Sequence, residues 1–202
     1  DGVVHAAGIL GPIGPVTEID PEEWFNTVRI NLFGSMLVVR EGARRARAAG
    51  TRCSIVLFSG GGAATPFPNY TGYACGKAGV VRLTETIAIE LAETSVRVNC
   101  VAPGFVATRL HQQTLDAGVE RVGVSYLENT KTQLAKGGVP PSVAANATVF
   151  LLSDRSAGIT GRFLAAPHDG YADWPKHLEQ LKGSDLFTLR RIVPRDRGQD
   201  WQ

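Results

Sequence analysis

Short apolar runs alternate along this chain with longer stretches in which apolar residues recur every three or four positions. Two runs, residues 53–58 (CSIVLF) and 96–102 (VRVNCVA), have the length and hydrophobicity of strands that are covered on both faces of a parallel sheet. A run at residues 2–7 and the segment at residues 158–166 (GITGRFLAA) predict two further strands.

Helical periodicity fills most of the intervals between these strands. The first helix is expected over residues 21–49, since Asp20 supplies an acidic N-cap and a proline follows it. Further helices are predicted at residues 71–94 and 140–152, whereas residues 105–139 are predicted to form a long polar loop. The alternation of strands and helices predicts an α/β fold with a parallel sheet.

The charge balance and the cysteine content argue against several classes of protein. The 21 basic and 19 acidic residues leave a net charge of +2, which is too small to indicate binding to nucleic acid or to an anionic membrane. No apolar run reaches the ~18 residues of a membrane span, and no leader opens the chain, so a cytoplasmic location is expected. Cys53, Cys75 and Cys100 form no paired motif, so neither a metal site nor a disulfide framework is predicted.

One lysine lies on a mostly apolar helical stripe. The residues of that stripe are Tyr73, Lys77, Val80, Thr84, Ile87 and Leu91. A buried ammonium is costly without a partner, so two interpretations compete. Either the stem of Lys77 packs while its head reaches solvent or a carboxylate, or the ammonium lines a pocket and lowers the pKa of Tyr73, one turn away.

Other residues are placed where they could line the same pocket as Lys77 and Tyr73. Ser59 and Gly8 follow predicted strands, as does the Pro103-Gly104 pair, and ligands of parallel sheets bind beyond the carboxyl ends of strands. Asn31 lies within the first predicted helix, where asparagine is a poor helix former. It either faces solvent, bonds its own backbone, or belongs to the same site.

Five segments, in order, resemble motifs of the short-chain dehydrogenase/reductase family: VVHAAG, RINLFG, IVLFSGGG, YACGK and VNCVAPGFVAT. The resemblance extends from Asp1 to about Arg197. It implies a Rossmann-like, doubly wound parallel sheet in three α/β/α layers, of which only the later strands are present. Residues 1–202 would then form one domain, with a substrate-loop region at 105–139 and a C-terminal tail at 167–202.

The resemblance also implies a hydride transfer between NAD or NADP and an alcohol or ketone substrate. Tyr73 would be the general acid or base, and Lys77 would lower its pKa and hydrogen-bond the nicotinamide ribose. Ser59 would polarise the substrate oxygen, and Asn31 would hold a water in a proton relay. The cofactor would also contact Ala6, Gly8, Pro103, Gly104, Val106 and Thr108.

Two departures from the family pattern affect these expectations. His5 and Ala6 stand where the family prefers asparagines, so Ala6 cannot form side-chain hydrogen bonds to neighbouring strands. The spacing from Ser59 to Tyr73 is one residue longer than the commonest form, so Gly60 competes for the serine position. Because a glycine has no hydroxyl group, Ser59 is the predicted donor.

A phosphate-binding loop of the Gly-x-Gly-x-x-Gly type is not found among the 23 glycines. By the resemblance, that loop and the first three strands would precede Asp1. If the chain were complete as given, the strand at residues 3–6 would be a sheet edge instead of a central strand, and the missing half or another chain should cover it. The resemblance also implies a homodimer or homotetramer formed through the two long helices, at about residues 21–49 and 71–94. The alternative function is a cofactor-free binding or assembly module.

Overall fold

The computed structural model describes residues 1–201, which contain one four-stranded parallel sheet. Its strands are β1 (Gly2–His5), β2 (Cys53–Phe58), β3 (Val96–Ala102) and β4 (Phe163–Ala165), in the spatial order β1-β2-β3-β4. The parallel α/β sheet predicted from the sequence is confirmed, with β2 and β3 matching their predicted bounds.

The two outer strands are shorter than predicted. β1 ends at His5, and β4 contains only three of the residues between 158 and 166. Gly158 and Gly161 have φ values of +80° and +72°, which are incompatible with an extended strand. Ile159 nevertheless lies in the core at 1% exposure, so the apolar pattern of this segment predicted burial correctly and strand structure incorrectly.

Seven α-helices surround the sheet in the described residues: α1 (Pro21–Val28), α2 (Gly34–Ala49), α3 (Thr71–Glu90), α4 (Arg109–Val122), α5 (Val124–Ala135), α6 (Pro141–Leu152) and α7 (Leu178–Lys182). The predicted cap is present, since the Asp20 carboxylate accepts hydrogen bonds from the N–H groups of Glu22 and Glu23 at 2.7 and 3.1 Å. α3 ends at Glu90, four residues before its predicted end.

A π-helical turn, Arg29–Phe33, interrupts the helix predicted over residues 21–49. The turn leads directly from α1 into α2, and the N–H of Gly34 donates to the carbonyl of Arg29, five residues earlier. Asn31 occupies the middle of this turn and is fully buried. Turns of this kind are rare and often mark functional sites.

The prediction of a long loop over residues 105–139 is wrong, because the segment forms α4 and α5. Both helices expose most of their charged side chains while Thr114, Val122, Leu127 and Thr130 are buried. The buried residues pack with Tyr70 and its aromatic neighbours. α4 and α5 therefore each combine an exposed face of mixed charge with one buried face. A count of polar residues does not reveal the buried face.

Strand residues alternate between two helical layers. Ile55 and Leu57 of β2 pack in a cluster with residues of α2 and α3. Val56, between them, packs in a second cluster with residues of α6 and the C-terminal tail. The three-layer arrangement predicted from the family resemblance is thus confirmed, and it brings the start of α3 to the carboxyl end of β2.

The edges of the sheet differ. Within residues 1–201, β1 lies at one edge of the sheet, and Val4 is 47% exposed on it. At β4 the outward N–H groups of Phe163 and Ala165 donate to the carbonyl of Phe187 and the carboxylate of Asp169, at 2.8 and 2.7 Å. Among residues 1–201, no helix is both long enough and apolar enough to cross a bilayer.

Candidate functional site

Asn31 binds the segment that follows β1. Its Oδ1 accepts a hydrogen bond from the N–H of Ile9, and its Nδ2 donates to the carbonyl of the same residue, both at 2.9 Å. α3 approaches closely from the other side, since a Cβ on Gly76 would lie 3.0 Å from the Cβ of Asn31. The asparagine predicted to be a poor helix former is thus a buried bridge between the π turn and the end of β1.

Lys77 lies beside this bridge, and its side chain is directed to the carboxyl end of β2. Its Nζ donates to the carbonyl of Phe58 at 2.9 Å and lies 5.6 Å from the centre of the Tyr73 ring. A Cβ on Gly8 would come within 3.3 Å of the same Nζ and 2.8 Å of the Asn31 Oδ1. Only 5% of Lys77 is exposed, and its head group binds a backbone carbonyl instead of solvent or a carboxylate.

Tyr73 presents a free hydroxyl group at this place. Within residues 1–201 the hydroxyl forms no hydrogen bond, and it is not among the buried unpaired atoms. The ring packs near Phe67, with 6.3 Å between ring centres in an edge-on arrangement. A half-buried phenol with an accessible, unpaired hydroxyl is available to bind an oxygen atom of a ligand.

The pKa values of the pair differ from the sequence expectation. Burial raises the pKa of Tyr73 to about 12, and Tyr126 adds to the rise. Burial also lowers the pKa of Lys77 to about 8. The Tyr73 pKa is thus shifted upward instead of downward, because burial disfavours the charged phenolate.

Ser59 is buried away from the Tyr73 hydroxyl. It is 3% exposed, and its hydroxyl donates to the backbone carbonyl of Lys77 at 2.9 Å. The residue that faces the Tyr73 hydroxyl is Gly60, on which a Cβ would lie 3.0 Å from the Tyr73 Oη. In this structure that hydroxyl is bound to α3, and its donation to a substrate oxygen stays a prediction.

The remaining predicted contacts lie at the same edge of the sheet. Ala6 and Gly8 follow β1 and are exposed. Pro103 and Gly104 follow β3, and Val106 donates its N–H to the Gly104 carbonyl at 3.1 Å. A Cβ on Gly104 would lie 2.5 Å from the Cγ of Pro167, and the φ of +80° favours glycine there as well. Thr108 precedes α4, and its side chain forms no capping hydrogen bond.

These features fit a nicotinamide cofactor at the carboxyl edge of the sheet. The bare Cα of Gly8 leaves the Asn31 amide and the Lys77 ammonium close to exposed backbone. An ammonium and a phenol hydroxyl can each hydrogen-bond a ribose hydroxyl group. No hydrogen bond within residues 1–201 joins the segment after β3 to Tyr73 or Lys77, so the two parts of the predicted site are neighbours without direct polar contact.

Two contacts at the candidate site were not predicted from the sequence. Gly60 was recognisable from its distance of 13 residues to Tyr73, but its missing hydroxyl argued against it. The backbone of Ile9, which Asn31 binds, carries no sequence signal because backbone groups are common to every residue. Only the fold identifies that contact.

The chain matches known proteins over most of its length. A family model described as enoyl-(acyl carrier protein) reductase matches residues 1–169. The short-chain dehydrogenase/reductase ABA4 of Pyricularia oryzae is 35% identical over 57% of this chain. Cis-4-hydroxycyclohexanecarboxylate dehydrogenase of Sinomonas cyclohexanicum is 33% identical over 82% of this chain. The matched part spans 43% and 63% of those two relatives, respectively.

A solved structure with the same fold contains a nicotinamide cofactor. It is the actinorhodin polyketide ketoreductase with NADPH, with a TM-score of 0.71 and 28% identity. The alignment covers 82% of this chain and 65% of the ketoreductase.

Proposed function

Because the chain belongs to the short-chain dehydrogenase/reductase family, we propose that it transfers a hydride between NAD or NADP and an alcohol or ketone. The observation that carries this proposal is the accessible, unpaired hydroxyl of Tyr73 beside the buried ammonium of Lys77. The dehydrogenase named among the relatives and the ketoreductase with NADPH support the same class of reaction.

Tyr73 is the proposed acid or base. At neutral pH its raised pKa of about 12 keeps the phenol protonated, which suits proton donation to a carbonyl oxygen during reduction. In the reverse direction the phenolate would accept the proton of an alcohol. When bound, the nicotinamide supplies or accepts the hydride, for which no side chain substitutes.

Lys77 is the proposed electrostatic partner. A pKa of about 8 leaves a mixture of protonated and neutral amine near physiological pH, so the group can exchange a proton without a large cost. Its hydrogen bond to the Phe58 carbonyl fixes the amine at the end of β2. A ribose hydroxyl group bound to this amine would place the cofactor beside Tyr73.

Asn31 is proposed to support the proton relay. Its side chain is fully occupied by Ile9, so a relay water would bind its backbone carbonyl instead. That carbonyl accepts a hydrogen bond from the Ser35 hydroxyl at 2.7 Å, and a carbonyl oxygen has two lone pairs. The contacts of Ala6, Gly8, Pro103, Gly104, Val106 and Thr108 with the cofactor are part of the same proposal.

Self-association through α2 and α3 is proposed as well, with a second copy of the chain as the partner. The π turn, α1, α2 and α3 border an apolar groove lined by Phe25, Leu32, Phe33, Met36 and Leu83. Phe25 and Phe33 are 59% and 50% exposed, which is unusual for aromatic residues outside interfaces. Both helices are those that the family resemblance assigns to the subunit contact.

The first test is cofactor binding by this chain. NADH and NADPH are titrated while nicotinamide fluorescence is measured, and saturable binding at micromolar concentration would count against a cofactor-free module. The second test is turnover of a panel of ketones by the complete translation product of the gene. No binding and no turnover with either cofactor would favour a cofactor-free binding or assembly module. A cytoplasmic location stays a prediction.

A further inference from the structure

The hydroxyl of Ser59 has a structural task in this fold. The N–H of Ser59 extends the ladder of β2 by donating to the carbonyl of Val101 at 2.9 Å. Its hydroxyl donates to the carbonyl of Lys77, also at 2.9 Å. Ser59 thus ties the end of β2 both to the neighbouring strand and to α3, and its 3% exposure leaves little room for a ligand.

Gly60 occupies the place opposite the Tyr73 hydroxyl. A Cβ there would lie 3.0 Å from Oη and 3.7 and 3.8 Å from the nearest ring carbons of Tyr73. The backbone of Gly60 is extended, with φ −173° and ψ 173°, which any residue adopts. Backbone geometry therefore does not require glycine at this position, and the close approach of Tyr73 is the feature that a side chain would meet.

We propose that Gly60 determines how the substrate oxygen is bound, and that Ser59 takes no direct part in binding it. This inference rests on the proposed function, in which the substrate oxygen accepts a hydrogen bond from Tyr73. Because Gly60 has no side chain, the substrate oxygen would have the Tyr73 hydroxyl as a donor but no second hydroxyl group from residue 60. A serine introduced at residue 60 would restore such a donor.

Two substitutions of Gly60 separate the effect of a new hydroxyl group from the effect of added side-chain volume. Gly60→Ser adds a Cβ and a hydroxyl, and Gly60→Ala adds the Cβ alone, so both variants displace the Tyr73 ring to a similar extent. A difference between them isolates the new hydrogen bond. Ser59→Ala removes the hydroxyl that holds α3 and leaves Gly60 unchanged.

The first experiment uses this chain without cofactor. The pKa of Tyr73 is measured by NMR with isotope-labelled tyrosine, Tyr73→Phe identifies the resonance, and circular dichroism verifies folding across the titration. A serine hydroxyl at residue 60 stabilises the phenolate, so Gly60→Ser should lower the pKa of Tyr73 relative to Gly60→Ala by about one unit, a tenfold change in dissociation constant. Ser59→Ala should leave this pKa unchanged.

The second experiment measures turnover by the complete translation product. Loss of an oxyanion donor commonly lowers kcat by about 10²–10³-fold, so Gly60→Ser should raise kcat by at least about tenfold over Gly60→Ala. Ser59→Ala should cost far less than a lost donor, although it should lower the denaturation midpoint.

Two results would overturn the inference. One is an equal Tyr73 pKa in the Gly60→Ser and Gly60→Ala variants. The other is a loss of kcat of about a hundredfold or more in a folded Ser59→Ala variant, which would identify Ser59 as a donor to the substrate. Absence of turnover in every chain, including the wild type, would count against the proposed function, while the titration would still decide the placement of Gly60.

Discussion

The side-chain amide of Asn31 forms two hydrogen bonds with the backbone of Ile9, one donated and one accepted, each 2.9 Å long. The contact joins residues 22 positions apart and holds the chain just beyond β1 against a π-helical turn. Since Asn31 is completely buried, its amide has no access to water as an alternative partner.

Replacement of Asn31 should therefore be costly. Asn31→Ala leaves the N–H and carbonyl of Ile9 unpaired, and we expect the free energy of unfolding to fall by about 2–4 kcal/mol, measured by urea denaturation. Asn26→Ala is the matched control, because the side chain of Asn26 accepts an exposed hydrogen bond from the guanidinium of Arg29. The control should change stability by no more than about 0.5 kcal/mol, and an equal loss in both variants would contradict the bridge.

Two tyrosines should separate stability from activity. Tyr73→Phe should abolish turnover by the complete translation product and leave unfolding nearly unchanged, because the Tyr73 hydroxyl has no partner within residues 1–201. Tyr70→Phe should leave turnover nearly unchanged and lower the free energy of unfolding. Its buried hydroxyl bonds that of Thr114 at 3.1 Å, so its loss should cost about 1 kcal/mol. Unimpaired turnover in Tyr73→Phe would remove the proposed acid.

The buried ammonium of Lys77 should make stability depend on pH. Its pKa is about 8 in the folded chain, against an ordinary value of 10.5, so the unfolded chain binds more protons between these pH values. Stability contributed by Lys77 therefore rises from pH 8 to pH 10.5, by up to about 3 kcal/mol. Above pH 10, Tyr73 opposes the rise, since its pKa is about 12 when folded and 10 when unfolded.

The measurement is the difference between the urea-denaturation curves of the wild type and Lys77→Met across this range. That difference isolates Lys77 from the other groups that titrate at high pH. Lys136→Met, which removes an exposed lysine, should retain the pH dependence of the wild type. If the stabilities of the wild type and Lys77→Met change with pH in parallel, the lowered pKa of a buried Lys77 would be contradicted.

The apolar groove should control the oligomeric state. Phe33→Glu places a charge in the proposed contact between copies, where an unpaired carboxylate is strongly disfavoured, so we expect a monomer by light scattering. Val149→Glu is the control, because Val149 is 64% exposed on α6, outside the groove. The proposed contact between copies would be contradicted if the wild type is already monomeric at the same concentration. It would also be contradicted if Phe33→Glu leaves the oligomeric state unchanged.

Several elements could be predicted from the sequence because their signals are local. β2 and β3 are continuous apolar runs, and their bounds follow from the pattern alone. Asp20 indicates the start of α1 through its own side chain. The spacing of Tyr73 and Lys77 places them one helical turn apart in any helix that contains both.

Other features depend on distant parts of the chain. The sequence predicts a loop in place of α4 and α5 because their buried faces are short and their partners are distant, as Tyr70 is from Thr114, 44 residues away. The π turn is stabilised around Asn31 by Ile9, which lies 22 residues earlier in the sequence. The closed edge of β4 requires Phe187 to return to the sheet.

The sequence by itself determined the parallel α/β architecture and the polar residues that gather at one rim, because both follow from the periodicity of neighbouring residues. Only the tertiary structure decided which of Ser59 and Gly60 faces Tyr73. Successive residues of an extended chain direct their side chains to opposite sides, so a shift of one position exchanges a substrate-facing hydroxyl for a buried one. The packing of α3 on β2 selects between them, since it commits the Ser59 hydroxyl to the Lys77 carbonyl.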